Sequence, residues 1–131
     1  MAFLRGVALV ASVARVVQLT GAQDLRNVEG ELRLEDLLVT ASDSIFDRLV
    51  ADGLDPTFLA NPEVYERAVA FQFLGLLAAQ GYLHGQEDAQ TVEQRHFALS
   101  DRFYEQVRPR LKGRDEPRAA NEGLPVVRNV P

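Results

Sequence analysis

Apolar residues recur along this chain at helical spacing in two long stretches. Leu34, Leu37, Leu38, Ala41, Ile45 and Leu49 follow one another in steps of three and four, which puts their side chains on one helix face. The spacing predicts a helix near 34–52, stopped by Gly53 and followed by a turn at Asp55-Pro56. Val92, His96, Leu99, Phe103, Val107 and Leu111 repeat the pattern and predict a second amphipathic helix near 91–111. Thr91 and Gln94 have the spacing of a capping box, Pro109 ends or kinks the helix near Val107, and Gly113 closes it. Between these stretches the rhythm disappears. From Ala68 to Ala79 the only polar side chain is Gln72. A helix apolar all round must lie inside a protein, and this run is well short of the roughly twenty residues that cross a bilayer. Asn61-Pro62 supplies its start, an N-cap residue followed by proline, so a central helix is predicted near 62–84, ending at His84-Gly85. Leu38, Ile45, Leu49, Ala70, Phe73, Leu77, Phe97, Leu99 and Phe103 are the expected core.

The two ends read differently. In residues 1–20, Arg5, Ser12, Arg15 and Gln18 share one arc of a helical wheel opposite a run of Ala, Val and Leu, which predicts an N-terminal amphipathic helix; the valines leave a strand open. The apolar run resembles a secretory leader faintly, but Arg15 interrupts it. Residues 21–32, with Gly21, Asn27 and Gly30, read as a loop. Beyond Gly113, Pro117, Pro125 and Pro131 favour extended backbone. Leu124, Val126, Val127 and Val130 are too apolar for a solvated tail and call for a partner surface, with Arg128 among them. The expected fold is therefore all-α: a small helical bundle around a buried central helix, with an N-terminal segment at 1–20, the bundle at 21–113 and an extended C-terminal arm at 114–131.

Length and composition agree. At 131 residues, 47% hydrophobic and 25% charged, the chain is one globular domain's worth. It contains no cysteine, which excludes disulfides, thiolate metal sites and a cysteine nucleophile. The net charge of −5 argues against a general nucleic-acid binder. Charge is also segregated. Residues 24–56 hold nine acids and three bases, and residues 89–112 hold five bases and three acids. Arg108, Arg110 and Lys112 suit the C-terminal dipole of the last helix, as Glu63 and Glu66 suit the start of the central one.

Candidate chemistry is sparse. Glu93 and His96 have the Glu-x-x-His spacing of di-metal bundles, but only one copy occurs and His96 lies on the apolar stripe. Asp43-Ser44-Ile45 is like the phosphopantetheine site of acyl carrier proteins, yet the helical pattern places Ser44 mid-helix, as a polar surface residue. No phosphate loop and no Ser-His-Asp set is present. The expectation is a protein that is not an enzyme and carries no cofactor and no metal.

Over about residues 34–112 the chain resembles the small head-to-tail connector, or adaptor, proteins of tailed bacteriophages and related gene-transfer particles. The resemblance lies in Leu34-Glu35-Asp36-Leu37-Leu38-Val39-Thr40-Ala41, the Asn61-Pro62 helix start, the alanine- and leucine-rich helix through Leu83, and the closing helix with Phe103-Tyr104. These are core patterns, and the apolar segment Ala2 to Leu19 departs from the family. The resemblance implies a helical bundle that multiplies into a ring, commonly twelvefold, at the head–tail interface of a virion. Its partners would be the portal protein, the stopper or tail-completion protein, and further copies of itself, with no membrane. DNA would pass through the channel without specific binding, and an acidic lining would repel its phosphates. Contacts to the portal or a neighbouring subunit would fall on Leu124, Val126, Val127, Arg128 and Val130. A reading of another class is a small helical regulatory or protein-binding module of a bacterial host, acting through a groove beside the central helix; an enzyme subunit is a third.

Overall fold

The computed structural model describes residues 2–22, 33–82 and 86–113. The fold is all-α. Its helices are α1 (Val13–Thr20), α2 (Leu34–Ala51), α3 (Glu66–Ala79) and α4 (Ala89–Gln106), with short 3-10 turns at Pro56–Phe58 and Pro62–Tyr65. Of the loop read at 21–32, residues 23–32 fall outside the described residues, as does the arm at 114–131. The central helix does not run to His84-Gly85: it ends at Ala79, capped by Gln80, because Gly81 takes a left-handed backbone at φ 94° that stops the helix.

Helix α3 is the centre. Ala68, Val69, Ala70, Phe73, Leu74, Leu77 and Ala78 are all buried, as a helix without a polar face requires. The other three helices pack on it. α2 contributes Leu38, Ala41, Ile45 and Leu49, the stripe expected from spacing. α4 lies closest. At Gly75 a β-carbon would stand 2.3 Å from the Phe97 ring, so only glycine admits this approach. One turn or two away, the buried Ser100 hydroxyl donates to the Ala68 carbonyl at 2.7 Å, tying α4 to α3 without an unsatisfied polar group. Of the expected core, Phe97, Leu99 and Phe103 are half-buried, because α4 is covered by α3 on one side only.

The N-terminal segment departs from expectation. Only residues from Val13 onward are helical; Ser12 caps them, its hydroxyl accepting from the Arg15 N–H at 3.2 Å. Residues 2–12 instead run along α2. Gly6 adopts φ 85°, a left-handed backbone that interrupts any helix. The amides this exposes find partners on α2: Gly6 N–H donates to Asp43 and Leu9 N–H donates to the Ser42 hydroxyl at 3.0 Å. Ser42 donates in turn to the Val7 carbonyl, and Arg5 pairs with Asp47. Phe3, Leu9 and Val10 are buried in the same core, with the Phe3 ring edge-on to Phe46. Tertiary bonds thus override a helical propensity that valine and glycine leave weak.

Two caps are also reassigned. Helix α4 begins two residues before Thr91, so Asp88 is its N-cap, accepting from the Thr91 N–H at 3.2 Å, in place of the Thr91–Gln94 box. Asn61 makes no cap bond; Pro62–Tyr65 forms a tight 3-10 turn before α3, and the Asn61 side chain is used elsewhere. Helix α4 stops at Gln106, three residues before Pro109.

The Gly75–Phe97 approach yields a sharp test. Gly75→Ala gains helix propensity but overpacks the α3–α4 contact, and a net loss of about 1–3 kcal/mol is expected. In a Phe97→Leu background the same substitution should cost less, giving a positive coupling in a double-mutant cycle of denaturant midpoints.

Candidate functional site

Asn61 is the residue whose role differs most from its sequence context. It is buried, and its amide donates to the Arg108 carbonyl at 3.0 Å while its Oδ1 accepts from the Arg110 N–H at 2.8 Å. Beside it the chain after α4 pairs with the chain before α3. Leu59 and Leu111 form an antiparallel bridge, flanked by Ala60 N–H to the Arg110 carbonyl at 2.6 Å and Lys112 N–H to the Phe58 carbonyl at 2.7 Å. Four hydrogen bonds therefore clasp residues 108–112 to 58–61. Arg108, Arg110 and Lys112 do not lie in the last turn of α4, as dipole matching would place them; Pro109 keeps this stretch extended. Extended backbone alternates faces, so Val107 and Leu111 pack on the core while the three cations are exposed. They form no ion pair among the described residues.

Next to the clasp is an open apolar depression of about 460 Å³, lined by Phe46, Val50, Gly53, Leu54, Asp55 and Pro56. It forms where α2 ends and the chain turns through Pro56–Phe58, a turn fixed by the Asp55 carboxylate accepting from the Thr57 N–H at 3.0 Å. Val50 is 52% exposed and Phe58, two residues past Pro56, is 58% exposed. A surface this open does not enclose a small molecule. Sequence reasoning passed over it because Phe46 and Val50 lie off the α2 stripe. The available signal was that three large apolar residues, Phe46, Val50 and Phe58, had no place in any predicted core.

A polar cluster joins the end of α2 to α4. Arg48 reaches Asp101 at 2.6 Å and Glu105 at 3.3 Å, and its guanidinium sits 4.0 Å over the Tyr104 ring. The Tyr104 hydroxyl donates to Asp52 at 2.5 Å, and its ring packs against Tyr65. Burial, with Asp52 as the hydrogen-bond acceptor, raises Tyr104 well above the ordinary phenol range; burial and the Asp52 charge do the same to Tyr65. This cluster holds helices together and contains no activated nucleophile.

His96 stacks on Phe71, which stacks in turn on Phe103. Its buried Nδ1 has no hydrogen-bond partner among the described residues. Burial, and then Arg95, push its pKa down. Among the described residues no three of His, Asp and Glu gather as a metal-binding group, and Glu93 and His96 do not by themselves make one. Ser44 lies within α2, donating to the Thr40 carbonyl at 3.1 Å, so it is not at a helix start. Glu66 stands in the first turn of α3 and also pairs with Arg15 at 2.9 Å. No helix among the described residues is long and apolar enough to cross a membrane. Leu124, Val126, Val127, Arg128 and Val130, the partner contacts read from sequence, lie outside the described residues. Comparison with protein-family models, curated proteins and solved structures finds no match to this chain.

His96, Tyr65 and Tyr104 each contribute to the pH dependence of stability. His96 binds its proton less readily folded than unfolded, so stability should fall as pH drops below about 6.5, and His96→Leu should flatten that limb in thermal melts. Tyr65 and Tyr104 hold their protons more tightly folded than unfolded. Stability should therefore decline above about pH 10, and Tyr104→Phe should make the decline shallower.

Proposed function

We propose that this protein is the subunit of a head-to-tail connector ring in a phage-like particle. In this reading it sits between the portal and the stopper or tail-completion protein at the head–tail interface of a virion, and DNA passes its channel without specific binding. The observation that carries the reading is the clasp. Four hydrogen bonds fix residues 108–112 to the body of the domain, so the chain beyond Gly113 departs from a defined point. Residues 114–131 are a proline-punctuated sequence with an apolar segment at 124–130. A rigid body with an anchored arm is the design of a subunit that joins neighbours. Ordering an arm costs about 1–2 kcal/mol per residue, which contact with a partner can offset. Glu35, Asp36 and Asp47 of α2 are exposed, Asp36 paired with Arg33 and Asp47 with Arg5, and a surface of acidic character would let DNA pass without sticking.

The second reading, a small helical regulatory or protein-binding module of a bacterial host, is favoured by the apolar depression beside Val50. Solution mass separates the two: a ring assembles from many copies, whereas a module of that kind stays small.

Truncation after Arg118 tests the connector reading. It removes Leu124 to Val130 and leaves the clasp intact. The truncated protein should keep its helicity and melt within a few degrees of the full chain, while joining of heads to tails fails. Normal joining by the truncated chain would remove the main support for a connector.

A further inference from the structure

We propose that the depression at the end of α2 receives the Leu124–Val130 segment of a second copy of this chain, an inference that rests on the ring reading above. Three observations converge on this occupant. The first is chemical. On an extended backbone, period-two alternation would put Leu124, Val126, Arg128 and Val130 on one side, three apolar residues and one cation. The depression offers Phe46, Val50, Leu54 and Pro56, with the Asp55 carboxylate among them. An apolar strip carrying a single Arg thus meets an apolar hollow carrying a single Asp, at the end of the most acidic part of the chain.

The second observation is where the chain leaves the body. Lys112 is bonded to Phe58, two residues from the lining residue Pro56, so Gly113 emerges beside the depression of its own subunit. To fill that depression, the segment would have to double back across the ten residues Arg114 to Gly123, against the extended bias of Pro117.

The third is length. From Gly113 to Leu124 an extended chain covers about 36–40 Å. A domain of about 100 residues is about 34 Å across. The spacer is therefore long enough to reach from one subunit's exit to the equivalent depression of the next. Such a contact joins two different surfaces of the same molecule, the head-to-tail kind that makes a ring when its rotation closes.

Engineered disulfides test this directly, because the chain has no cysteine to confuse the result. Val50→Cys and Val126→Cys are made singly and together; Val50 is 52% exposed, so its replacement leaves the core intact. Under mild oxidation, the two single variants mixed, one carrying a size tag, should give a covalent mixed dimer. The double variant should give a ladder of multimers. A disulfide formed only within one chain would show that the arm folds back on its own subunit and would overturn the proposal, as would no Val50–Val126 product at all. The outcomes separate from those of the ring reading. Rings seen by solution mass without the disulfide overturn the occupant and leave the connector standing. Multimers that form the disulfide but never join portal-bearing heads leave the occupant standing and overturn the connector.

Discussion

A helix without a polar face must be covered on every side, and in this protein meeting that demand organises everything else. Between Arg67 and Gln80, Gln72 is the only polar side chain of α3. A 14-residue helix has limited surface, so the elements covering it must approach closely. Gly75 makes that approach physical by admitting the Phe97 ring where any side chain would collide. The Ala68 carbonyl, occupied by its neighbour's Ser100 hydroxyl, sets the register of the same contact. With α4 held there and α2 packed on α3 as well, the short helix α1 and the segment before it add to the cover. Glu66, at the start of α3, anchors that side through Arg15.

The polar interactions are arranged around this burial rather than in competition with it. Ser42 is fully buried, yet it is both donor and acceptor toward residues 7 and 9, so no polar atom is stranded. Arg48 spreads its charge over Asp101, Glu105 and the Tyr104 ring at the edge of the core, where solvent still reaches the acids. Exposed pairs of this sort add little stability individually. Their value is positional: they lock the end of α2 against α4, and the depression beside Val50 opens where α2 ends.

The all-α class and α2, α3 and α4 were legible in the sequence because each carries a long, internally consistent pattern: period 3.6 for the amphipathic pair and uniform apolarity for the centre. The N-terminal segment was not. Its Ala-Val-Leu run satisfies a wheel equally well as helix or as covering strap, and the deciding bonds come from Ser42 and Asp43, more than thirty residues away. Asn61 failed for the same reason. Its identity and the following proline fit an N-cap, but its side chain is claimed by Arg108 and Arg110, about fifty residues on. The depression left only an ambiguous trace, because an apolar residue off the stripe looks the same whether it lines a hollow or is simply exposed.

The clasp at Asn61 also has a mechanical side. Its four hydrogen bonds stand side by side between residues 58–61 and 108–112. Tension entering at Gly113 along the line of the extended segment loads all four at once, in shear. Tension across it meets the Lys112 bond first and then peels the others one by one. The same short pairing is therefore stiff in one direction and weak in another.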